Sequence, residues 1–169
     1  VSMVEKYFGG TLPTEHQADP IDEELVGMIS SLREKYEEQM EHYAFQNALA
    51  EVFKVISRTN KYIDETAPWA LGKDESQKAR LACVLYNLLE SLRVSAALLT
   101  PFMPESAEKI AQQIGACAED VSYENAGRYG VLPKDVTVHK GATLFPRIDM
   151  QKELEELAAQ QAAAHPQLP

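Results

Sequence analysis

Apolar residues recur at intervals of three and four along four long segments of this chain, and that period commits it to packed helices. Between residues 21 and 41, Leu25, Met28, Ile29, Leu32, Tyr36 and Met40 fall on one side, while the other sides carry mostly Glu, Lys and Arg. Between 45 and 65 the same rule gathers Phe45, Leu49, Val52, Phe53, Ile56 and Ile63. Residues 75–99 are apolar over much of the circumference, through Leu81, Leu85, Leu88, Leu92 and Leu99 with Ala82, Val84, Leu89 and Ala96. A helix with that composition is packed on several sides. The spacing thus predicts an all-α bundle with main helices over 21–41, 45–65, 75–99 and 104–114.

The punctuation agrees with these limits. VSMVEKYF reads as the last turns of a helix cut from a larger protein, stopped by Gly9 and Gly10. Asp19 is placed to cap the next helix, with Pro20 at its first position. Asp74 is a cap for the third long helix, and Pro101, Pro104 and Gly115 bracket the fourth. From Cys117 to Pro133 the period dissolves into turns. VTVH at 136–139 could form a very short strand, and LFPRID reads as an extended segment. Residues 150–164 make a helix whose thin apolar face needs something to lean on, and HPQLP reads as a tail or linker. These features divide the chain into a bundle over 1–116, an irregular return segment over 117–149, and a terminal helix with tail over 150–169.

The net charge of -10 excludes broad, sequence-blind binding to nucleic acid, but it leaves room for a local contact. No uninterrupted apolar run approaches the roughly 18 residues of a bilayer span, and no signal peptide opens the chain, so no membrane partner is expected. With only Cys83 and Cys117 present, the thiols read as unpaired and the compartment as a reducing cytoplasm.

One stretch stands out, NKYIDETAPWAL at 60–71, which holds the single tryptophan. Pro68 disfavours helical geometry at Ala67, so it ends the helix before it. Trp69 is then carried on a corner outside the regular apolar stripe. An aromatic plate on a rigid corner suits stacking on a base; equally, it could plug the bundle between two helices. Lys54, Arg58 and Lys61, spaced four and three, form a basic stripe leading toward that corner. From Lys54 to Arg80 there are six basic residues against four acidic ones, a surplus of +2. Arg58 and Lys61 are expected to be at least partly exposed and to contact phosphate. Asp64 and Glu65 break a local rule, because negative charge at a helix C-terminus opposes the macrodipole.

Catalytic signatures are missing from these residues. There is no glycine-rich phosphate loop, no CxxC and no HExxH, and the histidines are scattered. Glu38 and His42 share a helix face, but a helical di-metal site needs paired Glu-x-x-His motifs. No catalytic, cofactor or metal residue is therefore assigned.

NKYIDETAPWAL, LYNLLESLRVSAALLTPFMPESAEKI, LFPRIDM and the opening MVEKYFGG together resemble the anticodon-binding domain of bacterial methionyl-tRNA synthetase. The resemblance runs from the start of the chain to Met150. It implies a helical bundle that follows a class I catalytic domain, with the partner a tRNA carrying the methionine anticodon. Trp69 would stack on that anticodon and Pro68 would shape the corner, with Asn60, Arg58 and Lys61 on the approach. It further implies that other anticodon-reading residues lie on the helix before Val1. ATP, and zinc in some members, would belong to the catalytic part. The residues by themselves keep two alternatives: an acidic bundle docking another protein through Leu154 and Leu157 or the Phe102–Met103 turn, and the anticodon domain of another class I synthetase.

Overall fold

The computed structural model describes residues 1–164, and the side chains of residues 1–160. The proposed tail HPQLP lies outside the described residues. Seven α-helices follow in order among the described residues: α1 (Ser2–Phe8), α2 (Asp22–Glu41), α3 (Phe45–Thr66), α4 (Pro68–Leu71), α5 (Lys78–Leu99), α6 (Pro104–Ile114) and α7 (Met150–Ala164). Short 3-10 turns sit at Glu75–Gln77 and Asn125–Gly127. The four long segments fold as the period predicts, to within a few residues at their ends.

The caps explain the small offsets. α1 ends at Gly9, whose φ of 66° is the left-handed geometry that spares glycine any Cβ clash. Helix α2 starts at Asp22, after Pro20, because Asp19 and Asp22 bond each other across the turn: Asp22 N donates to Asp19 O and Asp19 N to Asp22 Oδ2. Asp74 does cap, but it caps the 3-10 turn that leads into α5, with Ser76 N donating to its Oδ1 at 2.9 Å.

Helix α5 is the axis of the molecule. Apart from Lys78, Ala79 and Leu92, every residue in it is buried. By length and hydropathy it could cross a membrane, which the search for an unbroken apolar run missed. In the fold 94% of that apolar window is buried inside the bundle, as a core helix must be. Helices α2 and α3 form an antiparallel hairpin on it: Tyr62 near the end of α3 meets Asp22 at the start of α2. Thr59 and Tyr62 on α3 pair with Ser91 and Asn87 on α5, so that contact is antiparallel as well.

The buried face of α3 is not the one the large apolar residues suggest. Ala48, Val52, Val55, Thr59 and Tyr62 face the core, whereas Phe45 and Phe53 are about half exposed, at 49% and 52%. The smaller and polar side chains let α3 approach α2 and α5 closely. Leu49, Ile56 and Ile63 occupy the edge of the core.

The return segment is organised by two charges buried in α5. Glu90 and Arg93, both fully buried, bond each other through Nε to Oε1 at 3.0 Å and Nη2 to Oε2 at 2.8 Å. Arg93 then donates to the carbonyls of Asp120, Asn125 and Arg128, while Glu90 accepts from the amides of Gly130 and Leu132. A loop rich in turns can pack here because the pair satisfies its backbone. Ala126, Leu132, Val136 and Val138 complete the core cluster. VTVH does not become a strand. It makes one antiparallel bridge, Thr11 to Thr137, flanked by Leu12 N to Val136 O and Val138 N to Gly10 O. Helix α7 exposes Met150, Leu154 and Leu157. The Phe102–Met103 turn is half-buried against the bundle.

Candidate nucleic-acid interface

The corner forms as the proline requires. Helix α3 ends at Thr66, and Ala67 turns into left-handed geometry at φ 41° and ψ 61°. Pro68 then occupies the first position of the one-turn helix α4, where its missing N–H costs nothing. Backbone bonds close the turn on both sides, with Ala67 N to Ile63 O at 3.0 Å and Gly72 N to Pro68 O at 2.9 Å. Pro68 is buried, and Trp69 stands 48% exposed. A left-handed alanine costs about 1–2 kcal/mol, so the surrounding structure holds this geometry against a local preference.

The basic stripe is resolved differently. Arg58 is buried, contrary to the expected exposure. Its Nη2 lies 2.8 Å from Glu24 Oε2 of α2 and 3.0 Å from Glu65 Oε2, and Nε also bonds Glu24 at 2.8 Å. Burial alone would lower the Arg58 pKa, and the two carboxylates outweigh it and raise it. The guanidinium is thus a clamp between α2 and the last turn of α3, with no surface left to offer a phosphate. The same bonds explain the acidic residue at the helix end. Glu65 accepts from Arg58 and lies 3.5 Å from Lys61 Nζ, and those contacts offset the unfavourable dipole. Lys54 is tied to Glu51 at 2.5 Å, and both it and Lys61 keep exposed side chains, at 63% and 70%.

The local charge surplus disappears on the same grounds. Two of the six basic residues between Lys54 and Arg80 are Arg58 and Arg80, both buried on carboxylates. Exposed Lys54, Lys61, Lys73 and Lys78 then face exposed Asp64, Glu65, Asp74 and Glu75, which leaves no surplus. Asn60 is exposed on the other flank of α3, at the rim of a groove of about 210 Å³ lined by Val1, Met3, Ile56, Ile63, Leu88 and Leu92. The structure therefore places Pro68 and Trp69 together on the corner, leaves Lys61 and Asn60 exposed on the last turns of α3, and turns Arg58 inward.

A buried polar network backs the corner, and sequence reasoning did not find it. Asp22 accepts from Tyr62 Oη at 2.6 Å and from Arg80 Nη1 and Nη2 at 2.7 and 2.6 Å. Tyr62 Oη also accepts from Asn87 Nδ2 at 3.0 Å, and the Tyr129 hydroxyl donates to Asn87 Oδ1. Burial pushes the Asp22 carboxyl upward, but Arg80 and Tyr62 more than compensate and hold it below the usual carboxylate range. Cys83 sits under this network, and burial pushes its thiol up to about 11. The only hint in the sequence was an acid at the head of an amphipathic helix, which reads as a solvated first turn.

Fold and corner together define an all-α recognition module that offers one anchored aromatic surface at the end of a helix. Residues 12–165 match the family described as the anticodon binding domain of methionyl tRNA ligase. The methionine–tRNA ligase of Caldanaerobacter subterraneus is 48% identical over 157 residues, 93% of this chain and 24% of that protein. That of Clostridium acetobutylicum is 46% identical over 92% of the chain and 24% of its own length. Among solved structures, Mycobacterium tuberculosis methionyl-tRNA synthetase in complex with methionyl-adenylate superposes with a TM-score of 0.79 at 30% identity, covering 86% of this chain and 29% of that one. The chain belongs to the family of anticodon-binding domains of methionyl-tRNA ligases. It spans about a quarter of the length of the relatives it matches.

Proposed function

We propose that this chain recognises the anticodon of methionine-accepting tRNA within a cytoplasmic methionine–tRNA ligase, and that Trp69 stacks on an anticodon base. The observation that carries the reading is the half-exposed indole on a corner fixed by buried Pro68 and left-handed Ala67. A core tryptophan would be covered on both faces, whereas a platform for a base needs one open face and a rigid mount. Lys61 supplies the neighbouring phosphate contact and Asn60 a polar group on the approach. With no basic surplus at the surface, stacking and not charge supplies most of the contact from this domain. Activation of methionine with ATP is assigned to the rest of the ligase, which the bundle 1–116 and return segment 117–149 adjoin.

The test is Trp69→Ala in the full-length ligase. Losing one stacked base is worth about 1–3 kcal/mol, so kcat/KM for tRNA in aminoacylation should fall by roughly ten- to a hundredfold. Methionyl-adenylate formation without tRNA should stay at the wild-type rate. A melting point lowered by many degrees with tRNA use intact would make the indole a structural plug and end this reading.

A further inference from the structure

The loop that carries Trp69 runs from Ala67 to Gln77 and has two stems, the end of α3 and the start of α5. α4, within the loop, has no side-chain capping bond of its own. Its placement comes from packing on α5, from Tyr7 of α1 lying against Gly72, and from the two stems. Both stems end on one carboxylate: Tyr62 of α3 and Arg80 of α5 bond the two oxygens of Asp22. Thr66 passes the constraint to the last turn of α3 by donating to Tyr62 O at 2.7 Å. Tyr62 and Asn87 are fully buried, and Asp22 and Arg80 are only 5% and 8% exposed, so solvent has little access to these bonds.

We propose that Asp22 is a positioning group for Trp69, with Tyr62 and Arg80 as its arms, setting the angle at which the indole meets an anticodon base. This rests on the stacking reading of the corner and deepens it. A buried ion pair is weak evidence for stability, since apolar residues of similar volume often do as well. Directional bonds from two helices to one carboxylate instead fix where those helices end relative to each other. Tyr86 supplies the internal comparison. It is also buried and loses a single bond on conversion to phenylalanine, from its hydroxyl to Leu132 O at 2.6 Å, where Tyr62 loses one to Asp22 and one from Asn87. That bond fastens the return segment and touches neither stem.

The experiment uses the full-length ligase with Tyr62→Phe, Tyr86→Phe and Trp69→Ala, because Asp22→Asn strands the Arg80 charge and can prevent folding. Aminoacylation kinetics are measured against tRNA, adenylate formation without it, and the 19F resonance of 5-fluorotryptophan assigned to residue 69 by its loss in Trp69→Phe. Tyr62→Phe should shift or broaden that resonance and lower kcat/KM for tRNA by roughly fivefold, with adenylate formation unchanged. Tyr86→Phe should do neither. Wild-type resonance and kinetics in Tyr62→Phe, or equal changes in Tyr86→Phe, overturn the positioning role. If Trp69→Ala itself spares aminoacylation, the stacking reading fails, and the resonance alone decides whether Asp22 holds the corner.

Discussion

The two ends of α3 look alike and are built differently. Each has a residue other than glycine in left-handed geometry, Tyr43 at φ 57° before the helix and Ala67 at φ 41° after it. Each presents an exposed aromatic, Tyr43 at 82% and Trp69 at 48%, separated by about 33 Å of helix. At the first end Tyr43 touches Phe45 edge-on, with ring centroids 6.4 Å apart, and among the described residues no side-chain hydrogen bond or ion pair from Tyr43, Ala44 or Phe45 ties the turn to α5. At the second, Asp22, Tyr62, Arg80 and Asn87 lie beneath the corner, and Glu24, Arg58 and Glu65 close its side. An exposed aromatic alone is a common surface feature. The fastening underneath is what the proposed reading surface has and the other end lacks.

That difference sets the order of expected effects. Asp22→Ala should be the most damaging, about 3–5 kcal/mol of stability, because Arg80 is left charged and buried with no counter-charge and only the Gln17 carbonyl to bond. The loss is read by denaturant unfolding, and a change below about 1 kcal/mol would mean the network is dispensable. Its pH signature has a definite sign. The folded Asp22 carboxyl lies below its unfolded value of about 3.9, so its contribution is complete above that pH and fades as the pH falls through the lowered folded value. The stability gap between wild type and Asp22→Asn should therefore close on acidification below about pH 4.

Arg58→Ala comes next, at about 1–3 kcal/mol, since its partners Glu24 and Glu65 keep access to water while the packed stem is lost. The salt dependence of tRNA binding should keep its slope. A slope reduced by about one unit would mean that Arg58 reaches a phosphate. The smallest effects come from Tyr43→Gly and Ala67→Gly, each expected to relieve up to about 1 kcal/mol of backbone strain. Melting points should rise slightly for both. Only Ala67→Gly should also weaken aminoacylation, because only that turn carries Trp69, the proposed reader.

Helix positions were legible because the apolar period is a property of the chain, and both the proline corner and the glycine stops are local chemistry. What faces each helix was not. Spacing put Lys54, Arg58 and Lys61 on one stripe, but it could not say that Glu24 would come alongside and take Arg58 inward. The buried face of α3 was misjudged because Ala48, Thr59 and Tyr62 carry it, while the larger Phe45 and Phe53 remain half exposed. Glu90 and Arg93 did leave a trace in LLESLR: two charges in the apolar middle of a core helix have to pair and bond within the core.

Trp69→Ala and Tyr43→Ala, compared in one full-length ligase, probe the fastening of the two ends most directly. Both remove an exposed aromatic at an end of the same helix. Measured as kcat/KM for tRNA, the first should lose roughly ten- to a hundredfold and the second less than about twofold. Equal losses, or a loss confined to Tyr43→Ala, would contradict the claim that the anchored corner is the reading surface.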